Sequence, residues 1–215
     1  MTFKTWLLFL VTETSLSLSP GPAVLYVISQ GARGLRRTLP AAAGIISANG
    51  IYFALSATSL GAIIASSAHF FAVVKWVGAA YLIYLGVKAL RSTGSSQAID
   101  LSAPAGRKRE DRRQIYLGAL TLQLANPKAL LFFLALLPQF INPDTTIAPQ
   151  MSILAATSML PEFAILLGYG WIAHRAARAS SKVGMGSSMQ RWLGRLEGAG
   201  LLGCAALVLK FDRAR

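Results

Sequence analysis

What most limits the fold of this sequence is a set of apolar runs long enough to cross a bilayer, two of them interrupted by proline. A spanning helix needs about 20 mostly apolar residues, and six runs qualify: residues 6–29, 39–65, 70–90, 115–141, 147–173 and 193–211. The first carries Leu18-Ser19-Pro20-Gly21-Pro22 and the fourth Ala125-Asn126-Pro127-Lys128. Each proline removes an amide donor and crowds the preceding turn. In hydrocarbon the freed carbonyls must find partners in protein or in a water-filled cavity. Both breaks are therefore candidate sites, and paired interruptions at corresponding places in two halves point to the binding site of a transporter.

Composition supports the membrane reading: of 215 residues 54% are hydrophobic and only 13% charged, with a mean hydropathy of +0.52. A net charge of +13 would suggest nucleic acid in a soluble chain. Here the 21 Lys and Arg are gathered in short segments between the apolar runs, which argues against that partner. Cys204 is the sole cysteine, so neither an intrachain disulfide nor a cysteine-based metal cluster can form. Residues Met1 to Val11 look like a signal peptide, but no small-x-small cleavage site follows before the proline break, so an uncleaved first span is expected.

Charge sets the expected orientation. The first, third and fifth connections, with Arg33, Arg36 and Arg37 in the first, hold 15 basic residues, and the opposite side holds five. By the positive-inside bias the basic loops are cytoplasmic and both termini outside. Trp6, Trp76, Trp171 and Trp192 fall near predicted span ends, where interfacial aromatics belong. The long polar segment then divides the chain into residues 1–92, a basic cytoplasmic loop 93–114, and residues 115–215. Two halves of three spans each must run in opposite directions. The expected fold is an all-α integral membrane protein of six transmembrane helices, arranged as two inverted three-helix repeats whose first helices are broken. Small residues along several spans leave room for a homodimer face.

Candidate chemistry follows from charge at depth. Among eight acidic residues only Glu13 and Glu162 lie well inside spans, and a charge there costs at least about 2.5 kcal/mol, so its default reading is functional. Lys128 is the one lysine expected deep in a span, beside the second break. After each break a new half-helix begins near mid-membrane with unpaired amides and a partial positive end, and proline suits that first turn. Pro20, Gly21, Pro22, Asn126, Pro127 and Lys128 would thus form an anion site for a substrate carboxylate. Glu13 or Glu162 could hold an ammonium. Desolvation disfavours a charged carboxylate, so either could instead exchange a proton. Asn49, Gln123 and Asn126 offer neutral hydrogen bonds. His69 and His174 sit at span ends away from the acids, and no metal site, P-loop, nucleophile elbow or dinucleotide fingerprint is seen, so neither cofactor nor enzymatic activity is expected.

The chain carries an ordered set of motifs: Leu18 to Pro22, the Gly31 to Arg37 turn, Gly78-Ala79-Ala80-Tyr81-Leu82 with Leu85-Gly86, Asn126-Pro127-Lys128-Ala129, Phe132-Phe133, Leu137-Pro138-Gln139-Phe140 and Gly198 onward. Taken together they resemble the lysine exporter (LysE/RhtB-type) family of amino-acid efflux transporters. The resemblance implies a bacterial inner-membrane exporter of amino acids or derivatives, coupled to protons. Family members commonly carry a polar residue directly after the Pro-Gly-Pro, where this chain has Ala23, and an acid in the fifth span, where it has Glu162. Together these observations predict a secondary transporter exporting a small zwitterion by proton antiport. Export of a cation or toxic organic compound, or a scaffold without transport, are the alternatives.

Overall fold

The computed structural model describes residues 1–19, 21–65, 111–142 and 144–179, with single helical positions from the third run (Trp76, Ala79, Ala80, Ile83, Tyr84, Gly86, Val87, Leu90, Arg91) and the sixth (Arg195, Ala199, Leu202, Gly203, Ala206). Pro20, most of the predicted third and sixth spans and most of the long polar loop lie outside the described residues.

The first run is two helices. α1 (Phe3–Leu18) starts at Thr2, whose hydroxyl accepts the Thr5 amide, and stops at Ser19 in extended conformation. α2 (Pro22–Arg33) starts from extended Gly21 with Pro22 in its first turn, where the ring's fixed φ fits and its missing donor is no loss. The expected turn from Gly31 to Arg37 shrinks to one residue. Arg33 closes α2, α3 (Leu35–Ala65) begins two positions on, and Gly34 joins them at φ +157°, a conformation L side chains rarely adopt.

The fourth run bends too. α4 (Arg112–Leu124) begins with a capping box, in which Asp111 accepts the Arg112 amide while the Gln114 side chain accepts the Asp111 amide. Arg112 and Arg113 therefore belong to the helix and not to the loop before it. After Ala125 the chain turns by 49° into α5 (Pro127–Leu131). That arm runs on through one wide π turn, Phe132–Leu136, and a 3-10 turn, Leu137–Phe140. The wide turn sits just ahead of Pro138, which has no amide to give Leu134 and cannot continue an α-helical ladder. α6 (Ile147–Ala179) is a single helix of 33 residues with Pro161 inside it.

Leu35–Thr58 and Ile147–Ala179 are long and apolar enough to cross a membrane, and the bent pair Arg112–Leu124 with Pro127–Phe140 is so too when its two arms are taken as one span. At 1.5 Å per residue, helices of this length exceed the roughly 30 Å hydrocarbon core. The pairs in closest contact are α3 with α4 and α2 with α6. Glycine permits both: a Cβ on Gly44 would meet the Tyr116 carbonyl oxygen, and one on Gly31 would meet the main chain of Gly170.

Two apolar clusters fill the interior. One joins Phe9, Tyr52, Phe53, Phe132, Phe133, Leu137 and Leu154, and the other Val24, Val27, Ala41, Ile45, Ile115, Ala119 and Leu166. On each long element the polar positions fall between the two sets. Asn49 separates Ile45 from Tyr52, Gln123 and Asn126 separate Ala119 from Phe132, and Ser158 and Glu162 separate Leu154 from Leu166. A polar layer thus crosses the middle of the bundle at the level of the helix breaks.

Candidate functional site

That layer lines a partly open cavity of about 60 Å³, enough for several water molecules. Its walls include Glu13, Ser17, Ser19, Gly21, Asn49, Gln123, Asn126, Lys128 and Glu162, with Leu16, Ala23, Val24, Ala129, Phe132 and Phe133 as the apolar part. Of the residues singled out in the sequence, Glu13, Gly21, Asn49, Asn126, Lys128 and Glu162 are brought to this one space. Pro22 and Pro127 do not line it, but begin the helices α2 and α5 whose starts do. Pro20 is outside the described residues.

Both acids sit at one face of α6, Glu13 reaching it from α1 and Glu162 belonging to it. Glu13, 7% exposed, accepts a hydrogen bond of 2.7 Å from the Ser158 hydroxyl. Glu162 lies one turn further along and accepts through Oε2 from Asn49 Nδ2. Asn49 is in turn bonded by Gln123 at 2.8 Å and Gln123 by Asn126 at 2.9 Å, all three buried. Asn126 caps α5 by accepting the Lys128 amide at 3.0 Å. Such a network is affordable in low dielectric only because its members satisfy one another.

The carbonyls freed by the breaks also have named partners. The Lys128 side chain reaches across to α1, its Nζ donating to Leu16 O at 2.8 Å and Ser19 O at 2.9 Å. A cation there meets the partial negative end of the helix as well as its open carbonyls. Tyr169 on α6 donates to Leu18 O at 2.8 Å, and Tyr52 on α3 donates to Leu124 O at 2.7 Å. By contrast the start of α2 has no side-chain cap. The first amides of a helix have no partner within it, and Ala23 and Val24, in the first turn of α2, both line the cavity.

Sequence reasoning named Gln123 only as a neutral donor and missed Ser158, Tyr52 and Tyr169. Ser158 lies four positions before Glu162, one turn away on the same helix face, and that spacing was the one available signal. Among the described residues no group of three or more His, Cys, Asp or Glu could hold a metal ion.

A helical bundle with bilayer-length apolar helices and a buried polar cavity at two helix breaks defines a membrane protein of the solute-carrying class. The family model of the LysE type translocator matches residues 14–210, and the chain belongs to that family, one of efflux transporters and not enzymes. It is 36% identical over 178 residues to the homoserine/homoserine lactone efflux protein of Salmonella typhimurium, covering 82% of this chain and 84% of that one. It is 30% identical over 192 residues to the leucine efflux protein of the same organism, covering 84% and 86%. An uncharacterized membrane protein of Vibrio cholerae is 30% identical over 209 residues, or 97% and 98% of the two chains. No solved structure matches.

Proposed function

We propose that this protein exports a small amino acid or related zwitterion across the inner membrane by proton antiport, with the cavity at the helix breaks as its binding site. The observation that carries the reading is the pairing of opposite chemistries across one buried space. Uncapped amides at the start of α2 suit a carboxylate, and Glu13 and Glu162 suit an ammonium. Lys128 holds the end of α1 in place and adds positive potential beside the carboxylate position. The apolar wall of Leu16, Val24, Phe132 and Phe133 would receive an uncharged side chain. Relatives named for efflux of leucine and of homoserine or its lactone fit a substrate of that size and polarity.

A carboxyl in this layer can release its proton as the ammonium arrives and regain one after the substrate leaves, which is the exchange that antiport requires. Inverted repeats are part of the proposal. Their support is reciprocity at the breaks: each gives its freed carbonyl to a tyrosine on the long helix of the other half. Placing Arg33, Arg36, Arg37, Arg112, Arg113, Arg175 and Arg178 in the cytoplasm puts the ends of α2 and α6 and the starts of α3 and α4 on that side.

The test is transport in reconstituted vesicles loaded with labelled leucine, homoserine and a wider amino-acid panel, with and without an imposed pH gradient. Gradient-driven export of a neutral amino acid is expected, and Glu162→Gln should uncouple export from the gradient. Export by that variant at the wild-type rate across pH would remove Glu162 from the coupling role. A gradient that moves no member of the panel would overturn the reading.

A further inference from the structure

The amides that run from the α4–α5 break to Glu162 form a chain whose direction can be worked out atom by atom. It begins at the main-chain N–H of Lys128, which can only donate, so the Asn126 atom 3.0 Å from it must be oxygen. Asn126 is left with Nδ2 to give, and gives it to Gln123 at 2.9 Å. Gln123 therefore meets Asn126 through oxygen and turns Nε2 on Asn49 at 2.8 Å. Asn49, having accepted, has only Nδ2 for Oε2 of Glu162. Turning any one amide would set oxygen against oxygen and nitrogen against nitrogen. Turning all of them would take away the cap of α5. Asn49, Gln123 and Asn126 are only 4%, 4% and 5% exposed, so a turned amide would leave these mismatches buried.

We propose that Gln123 and Asn49 are positioning residues of the transport site: they hold Oε2 of Glu162 permanently as an acceptor, so that substrate ammonium or proton is taken up by Oε1 alone. Glu162 makes no other hydrogen bond among the described residues, which leaves Oε1 for the cavity that the residue lines with Glu13 from α1 and Lys128 from α5. Gln123 reaches Glu162 only through Asn49. Its effect is to fix which oxygen is open and to tie that choice to an intact cap at the break. The inference rests on the transport reading above for the identity of the bound cation, but the directed chain itself does not.

The experiment therefore has an arm that needs no substrate. Thermal unfolding of the detergent-purified protein at neutral pH is compared for the wild type, Gln123→Glu, Glu162→Gln and the double variant. A carboxylate at position 123 can accept from Asn126 but offers a second acceptor to Asn49, forcing Asn49 to turn its oxygen on Glu162. Gln123→Glu should lower the melting temperature by several degrees. Adding Glu162→Gln, whose amide can donate to the turned Asn49, should restore at least half of that loss. Losses that merely add, or no loss in Gln123→Glu, overturn the directed chain.

The second arm measures equilibrium binding of labelled leucine and homoserine. Gln123→Met should weaken binding about tenfold in the wild-type background, the loss of one aimed charge-assisted hydrogen bond. In the Glu162→Gln background the same change should cost less than about twofold. Equal losses in both backgrounds overturn the positioning role. If the wild-type protein binds neither probe, the amino-acid reading fails while the thermal arm still decides the chain.

Discussion

At the crossing of α2 and α6, Gly31 and Gly170 let the main chains meet, and the Thr38 side chain fills what remains. A Cβ on Gly170 would overlap Cγ2 and Oγ1 of Thr38 and lie 2.9 Å from its Cβ. Thr38 cannot swing into solvent, being 2% exposed, and its hydroxyl has no hydrogen-bond partner. Overpacking of this kind costs about 1–3 kcal/mol, against a gain of about 1 kcal/mol from replacing glycine by alanine in a helix. Gly170→Ala should therefore destabilise by up to about 2 kcal/mol. Thr38→Ala loses a methyl group, worth about 1 kcal/mol, but also removes a buried hydroxyl of comparable cost, so alone it should change little. Together the two substitutions remove the two shortest contacts and leave only the 2.9 Å approach of the two Cβ atoms, so the double variant should recover most of the Gly170→Ala loss, a coupling of about 1–2 kcal/mol. Gly31→Ala is the contrast, because its Cβ meets the Gly170 main chain and Thr38→Ala cannot relieve it. Gly168→Ala is the control, with nothing within 4 Å of its Cβ. Unfolding in mixed micelles, followed by tryptophan fluorescence, measures all of these. Additive effects at 170 and 38, or a Gly168→Ala loss as large as that of Gly31→Ala, would refute the steric account.

Two further outcomes are expected. Lys128→Met keeps the length of the side chain but withdraws the donor from Leu16 O and Ser19 O; at about 1.5–3 kcal/mol for each bond to a charged group, the loss should reach several kcal/mol, with Lys128→Arg retaining part of it in the same micelle assay. Tyr52→Phe and Tyr169→Phe each strip one break carbonyl of its hydroxyl donor, and both should lower stability by about 1–3 kcal/mol; a loss at only one of them would count against equivalent roles for the two tyrosines.

Proline and buried charge could be read from the sequence because each carries its cost wherever the chain places it. Pro22 and Asn126-Pro127 marked where helices would stop, and α2 and α5 begin at those prolines. Glu13, Asn49 and Glu162 stood out as polar groups in apolar runs, and all three line the cavity. Partners were not legible in the same way. Lys128 follows the second break in sequence yet serves the first, 112 residues earlier, because reach in space and not order in the chain selects its acceptors. The π turn at Phe132–Leu136 lies in an unbroken apolar stretch, and its only signal was Pro138, two residues beyond it. The short joint at Gly34 was hidden by the arginines on either side, which read as loop although each occupies a helix end.

The loan of tyrosine and lysine donors between distant segments bears on how the chain is made. When the first break enters the membrane, the donor for Leu18 O is still 151 residues away, and that for Leu16 O is 112 residues away. Until those later segments emerge from the ribosome, the first break carries a Leu18 carbonyl that Pro22, having no amide, cannot serve, and Leu16 O has only the Ser19 N–H. Neither half is thus a finished product when synthesised alone, and the earliest inserted segment is completed by some of the last.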